Sequence, residues 1–182
     1  MSDRILDAAR EVFETYGVRR ANVDDIARRA GLSRSTLYRR YPSKEALLEA
    51  VLLRAYDEFL TELDRVAADR SPQDAVVECF VHGLALSRQV PLLARLAETE
   101  PESFAGIGHR SQGTMLVASA GRVAATLRRS GARMPEDELL VASELMLRIA
   151  ATYLVDRRGH LDVDDEDAVR HYAKRYLAPL VD

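Results

Sequence analysis

A short basic and aromatic segment carries the side chains best suited to binding chemistry in this 182-residue chain. Guanidinium, hydroxyl and phenol groups follow one another there, in the order Arg34, Ser35, Thr36, Leu37, Tyr38, Arg39 and Arg40. Arginine forms paired hydrogen bonds with guanine, and hydroxyl groups bond to bases or to phosphates. In a helix that buries only Leu37, the other side chains stay accessible, so the segment predicts a reader of the DNA major groove.

The neighbouring residues predict the elements that position this segment. Asn22 and Ser33 are expected to cap two short helices, and Gly31 permits the tight turn between them. Leu32 and Leu37 then fill the space between these helices and a preceding amphipathic helix. Two short helices joined by a tight glycine turn are typical of a helix-turn-helix.

This part of the chain resembles the DNA-binding domain of the TetR family, over roughly residues 5–51. The residues that carry the resemblance are Ile26-Ala27-x-x-Ala30-Gly31 and Ser33-x-x-Thr36-Leu37-Tyr38-x-x-Tyr41-Pro42-Ser43-Lys44-Glu45-Ala46-Leu47-Leu48. The resemblance implies that Tyr38 and Lys44 contact phosphate and that Asn22 caps its helix beside the DNA backbone. It also implies base-facing positions at Arg34, Ser35, Thr36 and Arg40. Arg39 and Arg40 are expected to add affinity for the DNA backbone.

The charge distribution agrees with a DNA-binding amino-terminal segment. The whole chain has a net charge of −3, which alone argues against a partner rich in phosphate. Residues 1–44, however, contain ten basic and six acidic side chains, and the excess of acidic residues lies in the remainder. A basic segment joined to an acidic body presents one end to DNA.

Enzymatic chemistry has little support in the residue pattern. Cys79 is the only cysteine, and the four histidines do not pair at helical spacing, so we predict no metal site and no cofactor. No clustered nucleophile, base and acid set suggests a catalytic site, and we predict that the protein is not an enzyme. The absence of long apolar runs and of an amino-terminal apolar segment predicts a cytoplasmic protein without a membrane partner.

Hydrophobic periodicity predicts an all-α fold of about nine helices and no strand. We predict a helix-turn-helix DNA-binding domain over residues 1–45 and a helical effector-binding and dimerisation domain over 46–182. The resemblance implies a homodimer, which would present two recognition helices to a palindromic operator. It also implies an interface on the last two long helices, whose apolar stripes are Leu140, Leu145, Ile149 and Tyr153, and Val169, Tyr172, Ala173, Tyr176 and Leu177. These stripes can equally form the core of each monomer.

The resemblance further implies a pocket for a small-molecule effector in the second domain. Its predicted lining is Cys79, Phe80, Phe104, Met115, Ser119, Met146 and Tyr153. Effector binding is expected to move the fourth helix and to release a repressor from its operator. The alternative is a helix-turn-helix regulator or DNA-binding interaction protein that has no small-molecule ligand.

Overall fold

The computed structural model describes residues 2–87, 92 and 116–182, and the regular structure in this part of the chain is entirely helical. The described ranges contain eight α-helices: α1 is Ser2–Tyr16, α2 Val23–Arg29, α3 Arg34–Arg40, α4 Lys44–Ala67, α5 Pro72–Ser87, α6 116–129, α7 Glu136–Val155 and α8 Glu166–Tyr172. The predicted all-α fold is confirmed. Pro91 and the apolar residues after it also predict a short helix over residues 92–98, of which only Leu92 is described.

Side-chain caps define the helix starts that the sequence predicts. The Asn22 side chain accepts a hydrogen bond from the backbone N–H of Asp24 at 2.9 Å. The Ser33 hydroxyl accepts one from the Thr36 N–H at 3.2 Å, at the start of α3. The hydroxyl of Ser43 likewise accepts from a backbone N–H, at 3.1 Å, in the first turn of α4. Each cap satisfies a donor that would otherwise lack a partner in the first turn.

The described residues form two compact units, and the division falls inside α4, between Glu58 and Phe59. The first unit contains residues 2–58 and Leu92. Its core is built from fully buried side chains of α1 to α4, with Ile5, Val12, Phe13, Ile26, Leu37, Leu47, Leu48 and Val51 at its centre. The predicted domain boundary at residues 45 and 46 lies at the start of α4 and stays a prediction.

The second unit contains residues 59–87 and 116–182. Buried residues of α5, α6, α7 and the carboxyl-terminal segment pack together in its core, together with Ala67 from the end of α4. Leu139 and Ala75 are fully buried there. No helix among the described residues has the length and apolar character that a membrane crossing requires.

The carboxyl-terminal segment differs from the single helix that the sequence predicts. After α8 the chain forms a π-helical turn over Ala173–Leu177 and a 3-10 turn over Ala178–Leu180. The wider π turn rotates the side chains that follow it relative to an α-helix. Ala173 and Leu177 are both buried, whereas Tyr176 is 60% exposed. Periodicity at 3.6 residues could not reveal this change of winding.

Candidate nucleic-acid interface and ligand cavity

The turn between α2 and α3 sets the direction in which α3 projects. Gly31 has a φ of +70°, in the left-handed region that glycine adopts without strain. The Leu32 N–H donates to the Ala27 carbonyl at 2.9 Å and closes the end of α2. Leu37, only 1% exposed, anchors the inner face of α3 in the core of the first unit.

The outer face of α3 carries the polar residues that the sequence singles out. Arg34, Ser35, Arg39 and Arg40 are exposed, and Thr36 and Tyr38 are half-buried. The Ser33 hydroxyl lies 3.0 Å from that of Ser35 and 2.8 Å from that of Thr36. These hydroxyls therefore start the helix as one hydrogen-bonded group at the accessible end of α3.

Tyr38 and Lys44 have contacts that orient their side chains. The ring of Tyr38 packs partly against the core of the first unit, which leaves the residue half-buried. The Lys44 ammonium donates to the backbone carbonyl of Arg19 at 3.1 Å. Asn22, whose side chain caps α2, is exposed. All eight predicted DNA-binding residues thus lie in the first unit, and none of them is buried.

Arg34 has a partner that sequence reasoning missed. Its guanidinium lies 3.2 Å from one carboxylate oxygen of Asp24 through Nε, and Nη1 donates to the other oxygen at 3.3 Å. The same guanidinium lies 5.4 Å from the centre of the Tyr38 ring, within cation–π range. Asp24 lies in the first turn of α2, ten positions before Arg34, so no spacing within one helix identifies the pair. Arg34 is therefore held by an acid and an aromatic ring before any partner binds.

Two other arginines of α2 form ion pairs on the surface of the same unit. Arg28 pairs with Asp25 one turn away, and Arg29 pairs with Glu11 of α1. These contacts place both guanidinium groups on a solvated face of α2.

A cavity of about 100 Å³ lies within the second unit. Its described walls come from the end of α4, from α5, α6 and α7, and from Leu177. The lining is mostly aliphatic: Leu60, Leu63, Asp64, Ala67, Ala75, Val76, Cys79, Phe80, Arg122, Val123, Thr126, Leu127, Met146, Leu147, Ala150 and Leu177. Three predicted pocket residues, Cys79, Phe80 and Met146, are in this wall.

The other predicted pocket residues lie elsewhere. Ser119 is buried in α6 but does not line the cavity. The Tyr153 ring meets Phe80 edge to face, with centroids 6.4 Å apart, and does not line the cavity. Phe104 and Met115 are outside the described residues.

Sequence reasoning missed a polar cluster at the edge of this cavity. The guanidinium of Arg122 donates to one oxygen of Asp64 from Nε at 3.0 Å and from Nη2 at 2.9 Å. Nη2 also donates to the Thr61 hydroxyl at 2.8 Å. The Thr126 hydroxyl donates to the second Asp64 oxygen, and Arg129 approaches that oxygen at 3.4 Å. These residues come from two distant helices, so no local spacing identifies them.

Cys79 contributes an uncharged thiol to the wall. Its Sγ donates to the backbone carbonyl of Leu63 at 3.4 Å. Burial is the main reason why the pKa of this thiol rises from its ordinary value of 9.0 to about 12. The described residues contain no group of three or more side chains suited to holding a metal ion.

The second unit also has exposed apolar side chains on α7 and on the π turn. Val141 is 60% exposed, Leu145 45%, Leu140 37% and Tyr176 60%. Other residues of the predicted stripes, namely Val169, Ala173 and Leu177, are buried in the core of the unit itself. The predicted stripes therefore contain both residues that form the core of the second unit and residues that are exposed on its surface.

An aromatic cluster lies beneath the exposed Tyr176. The Tyr172 ring stacks on Phe80 at 6.0 Å and meets Tyr176 at 5.1 Å. Burial, followed by a hydrogen bond with Tyr153, raises the pKa of Tyr172 to about 12. Tyr172 thus lies between Phe80 of the cavity wall and the exposed Tyr176, and its phenol stays un-ionised to a higher pH than an ordinary tyrosine.

The amino-terminal segment that contains α2 and α3 matches a known protein family. Residues 5–51 match the family described as bacterial regulatory proteins, tetR family. The chain is 37% identical over 92 residues to the HTH-type transcriptional regulator RutR of Escherichia coli, covering 50% of this chain and 43% of RutR. It is 32% identical over 121 residues to an HTH-type transcriptional regulator of Mycobacterium tuberculosis, covering 65% and 60%. The chain thus spans less than half the length of RutR.

Solved structures share the fold over nearly the whole chain. The TetR family repressor AlkX from a Dietzia species superposes with a TM-score of 0.76 at 21% identity, covering 98% of this chain and 95% of AlkX. The regulator FadR from Bacillus subtilis, solved in complex with stearoyl-CoA, superposes with a TM-score of 0.58 at 16% identity, covering 96% and 98%. At these identities the likeness concerns the fold alone.

Proposed function

Because the chain belongs, through residues 5–51, to the tetR family of bacterial regulatory proteins, we propose that it is a homodimeric transcriptional regulator that binds double-stranded DNA. The observation that carries the proposal is the outer face of α3, where Arg34, Ser35, Arg39 and Arg40 are exposed while Leu37 anchors the helix. A short, capped, basic helix of this kind has the side chains that direct base readout needs.

The proposed roles follow from exposure and chemistry. Arg34, Ser35, Thr36 and Arg40 face bases, and Arg39 adds contacts to the DNA backbone. A well-placed arginine–guanine pair discriminates against a wrong base by about 1–3 kcal/mol. Asn22, Tyr38 and Lys44 contact phosphates and set the register of α3 in the groove. The protein acts in the cytoplasm, where bacterial DNA lies, and catalysis is no part of its role.

Selection of bound sequences from a random duplex library tests the DNA-binding proposal. The wild-type chain is expected to enrich one palindromic site, and Arg34→Ala and Tyr38→Ala are expected to lose it. Arg65→Ala is the matched control, because Arg65 is an exposed arginine of the second unit that pairs with Glu62. Failure of the folded wild-type protein to enrich any site at low salt would overturn the proposal.

The proposed homodimer uses the exposed apolar face of α7 and the π turn, defined by Leu140, Val141, Leu145 and Tyr176. Two copies of such a face would form an intermolecular helical bundle. Sedimentation analysis is expected to give a dimer for the wild type and a monomer for Leu145→Glu. Leu53→Glu is the control, since Leu53 is 46% exposed and Leu145 is 45% exposed. A dimer that survives Leu145→Glu would contradict this interface.

The proposed regulation is release from a palindromic operator when a small molecule occupies the cavity of the second unit. The helix α4 supports this link, since it begins at Lys44 and contributes Leu60, Leu63, Asp64 and Ala67 to the cavity wall. A ligand that displaces this wall acts on the element that positions Lys44. Pulsed EPR between spin labels at Arg20→Cys in a Cys79→Ser dimer measures the separation of the two DNA-binding units. An unchanged separation with a bound effector would refute the switch.

A further inference from the structure

The chemistry of the cavity wall limits what the cavity can hold. Of its described lining residues only Asp64, Arg122 and Cys79 can ionise, and the others are aliphatic side chains, Phe80, Met146 and Thr126. The Cys79 thiol donates to the Leu63 carbonyl, and its pKa of about 12 keeps it neutral. Any charge on the described part of the wall therefore comes from the Asp64 carboxylate and the Arg122 guanidinium.

The charges of the Asp64 carboxylate and the Arg122 guanidinium neutralise each other. Two nitrogens of Arg122 lie 3.0 and 2.9 Å from the same oxygen of Asp64, which is the geometry of a strong charge-assisted pair. The second oxygen of Asp64 accepts from the Thr126 hydroxyl and faces Arg129. Arg129 is 64% exposed, so solvent screens its charge. Against the described part of the wall, a ligand carboxylate would then have to displace Asp64 or lie among aliphatic side chains without a counter-charge.

We propose that the ligand of this cavity is a small uncharged apolar molecule of about the size of benzene or toluene, and that the Asp64–Arg122 pair excludes its carboxylate analogues. The inference rests on the proposed function, in which this cavity is the effector site. The volume of about 100 Å³ limits the ligand to no more than one small ring, since an apolar protein cavity of about 150 Å³ binds benzene. Burial of an unpaired carboxylate is strongly unfavourable, whereas a methyl group gains from the same wall.

Methyl NMR of methionine provides a direct test that does not involve DNA. The chain has four methionines. Met146 lines the cavity, whereas Met134 packs on the same core without lining it. With [methyl-¹³C]methionine protein, toluene is expected to shift the Met146 signal saturably and to leave Met134 unmoved. Benzoate, which replaces the methyl group by a carboxylate, is expected to bind at least tenfold more weakly. Equal binding of both probes, or no saturable Met146 shift with toluene, would overturn the proposal.

A charge substitution is expected to reduce the preference for toluene over benzoate. Asp64→Asn removes the carboxylate that neutralises the Arg122 guanidinium at the cavity, so benzoate is expected to bind at least tenfold better than to the wild type. Glu62→Gln is the matched control on the same helix, because Glu62 pairs with Arg65 and does not line the cavity. Equal gains in both variants, or no gain in a folded Asp64→Asn protein, would overturn the role of the pair. If Asp64→Asn does not fold, the wild-type comparison of toluene with benzoate decides the ligand class.

The outcomes separate this inference from the proposed function. A toluene-selective cavity in a protein that enriches no DNA site would leave the ligand class intact and overturn the regulator. A protein that enriches a site but leaves Met146 unmoved by toluene would overturn the ligand class and leave DNA binding intact.

Discussion

Replacement of Asp24 by asparagine is expected to strengthen binding to the selected DNA site. In the free protein the Arg34 guanidinium contacts both oxygens of the Asp24 carboxylate, at 3.2 and 3.3 Å. Arg34 must leave this carboxylate to reach a guanine edge, so the pair opposes DNA binding. Asparagine preserves the size of the side chain, and the backbone N–H at this position still donates to Asn22.

The structure sets the size of the effect. The side chains of Arg34 and Asp24 are 64% and 51% exposed, so the pair belongs to the weak surface class. Such pairs contribute about 0.2–1 kcal/mol, which corresponds to a decrease in Kd of about 1.4- to 5-fold when the pair is lost. Loss of an acid from the first turn of α2 also lowers stability by about 0.3–1 kcal/mol.

Fluorescence anisotropy titrations at several salt concentrations measure this change. Asp25→Asn is the control, because it removes the same charge from the same turn of α2 while Asp25 pairs with Arg28 rather than with Arg34. Asp24→Asn is expected to increase the affinity for DNA more than Asp25→Asn does. This difference in affinity is expected to vanish when Arg34→Ala is also present. Equal gains in both variants would refute the reasoning, since overall charge alone would then explain them.

Three further predictions concern single residues. Lys44→Ala is expected to reduce the salt dependence of DNA binding by about one unit in the slope of log K against log salt, which titrations from low to high salt measure. Gly31→Ala is expected to destabilise the protein by about 1–2 kcal/mol, because φ is +70° at this position. Gly121→Ala is expected to stabilise the protein by about 0.5–1 kcal/mol, because the added methyl group lies in open space within α6. Thermal unfolding of the two variants measures both changes. Alkylation of Cys79 by iodoacetamide at pH 8 is expected to be at least about a hundredfold slower in the folded than in the unfolded protein, because a pKa of about 12 removes the reactive thiolate. The neutral thiol stabilises the folded state below its ordinary pKa of 9.0, and that contribution is lost as the pH rises towards 12.

The amino-terminal unit could be predicted in detail because its structure depends on nearby residues. The caps at Asn22, Ser33 and Ser43 each satisfy a backbone donor two or three positions away. A local pattern is sufficient to recognise such contacts. Leu37 was likewise identified as the inward residue of α3, and it is 1% exposed. The sequence by itself therefore determined the helix-turn-helix and the set of side chains on its outer face.

Only the tertiary structure decided how distant residues combine. Asp64 meets Arg122 across 58 positions, and no periodicity within either helix predicts which guanidinium reaches which acid. Apolar stripes also leave open which members face inward: Leu145 of α7 is exposed, whereas Leu177 of the π turn is buried in the same unit. The physical reason is that helix caps and turns are set by contacts within one turn of the chain. The lining of a cavity and the exposed part of a core depend instead on how whole helices pack.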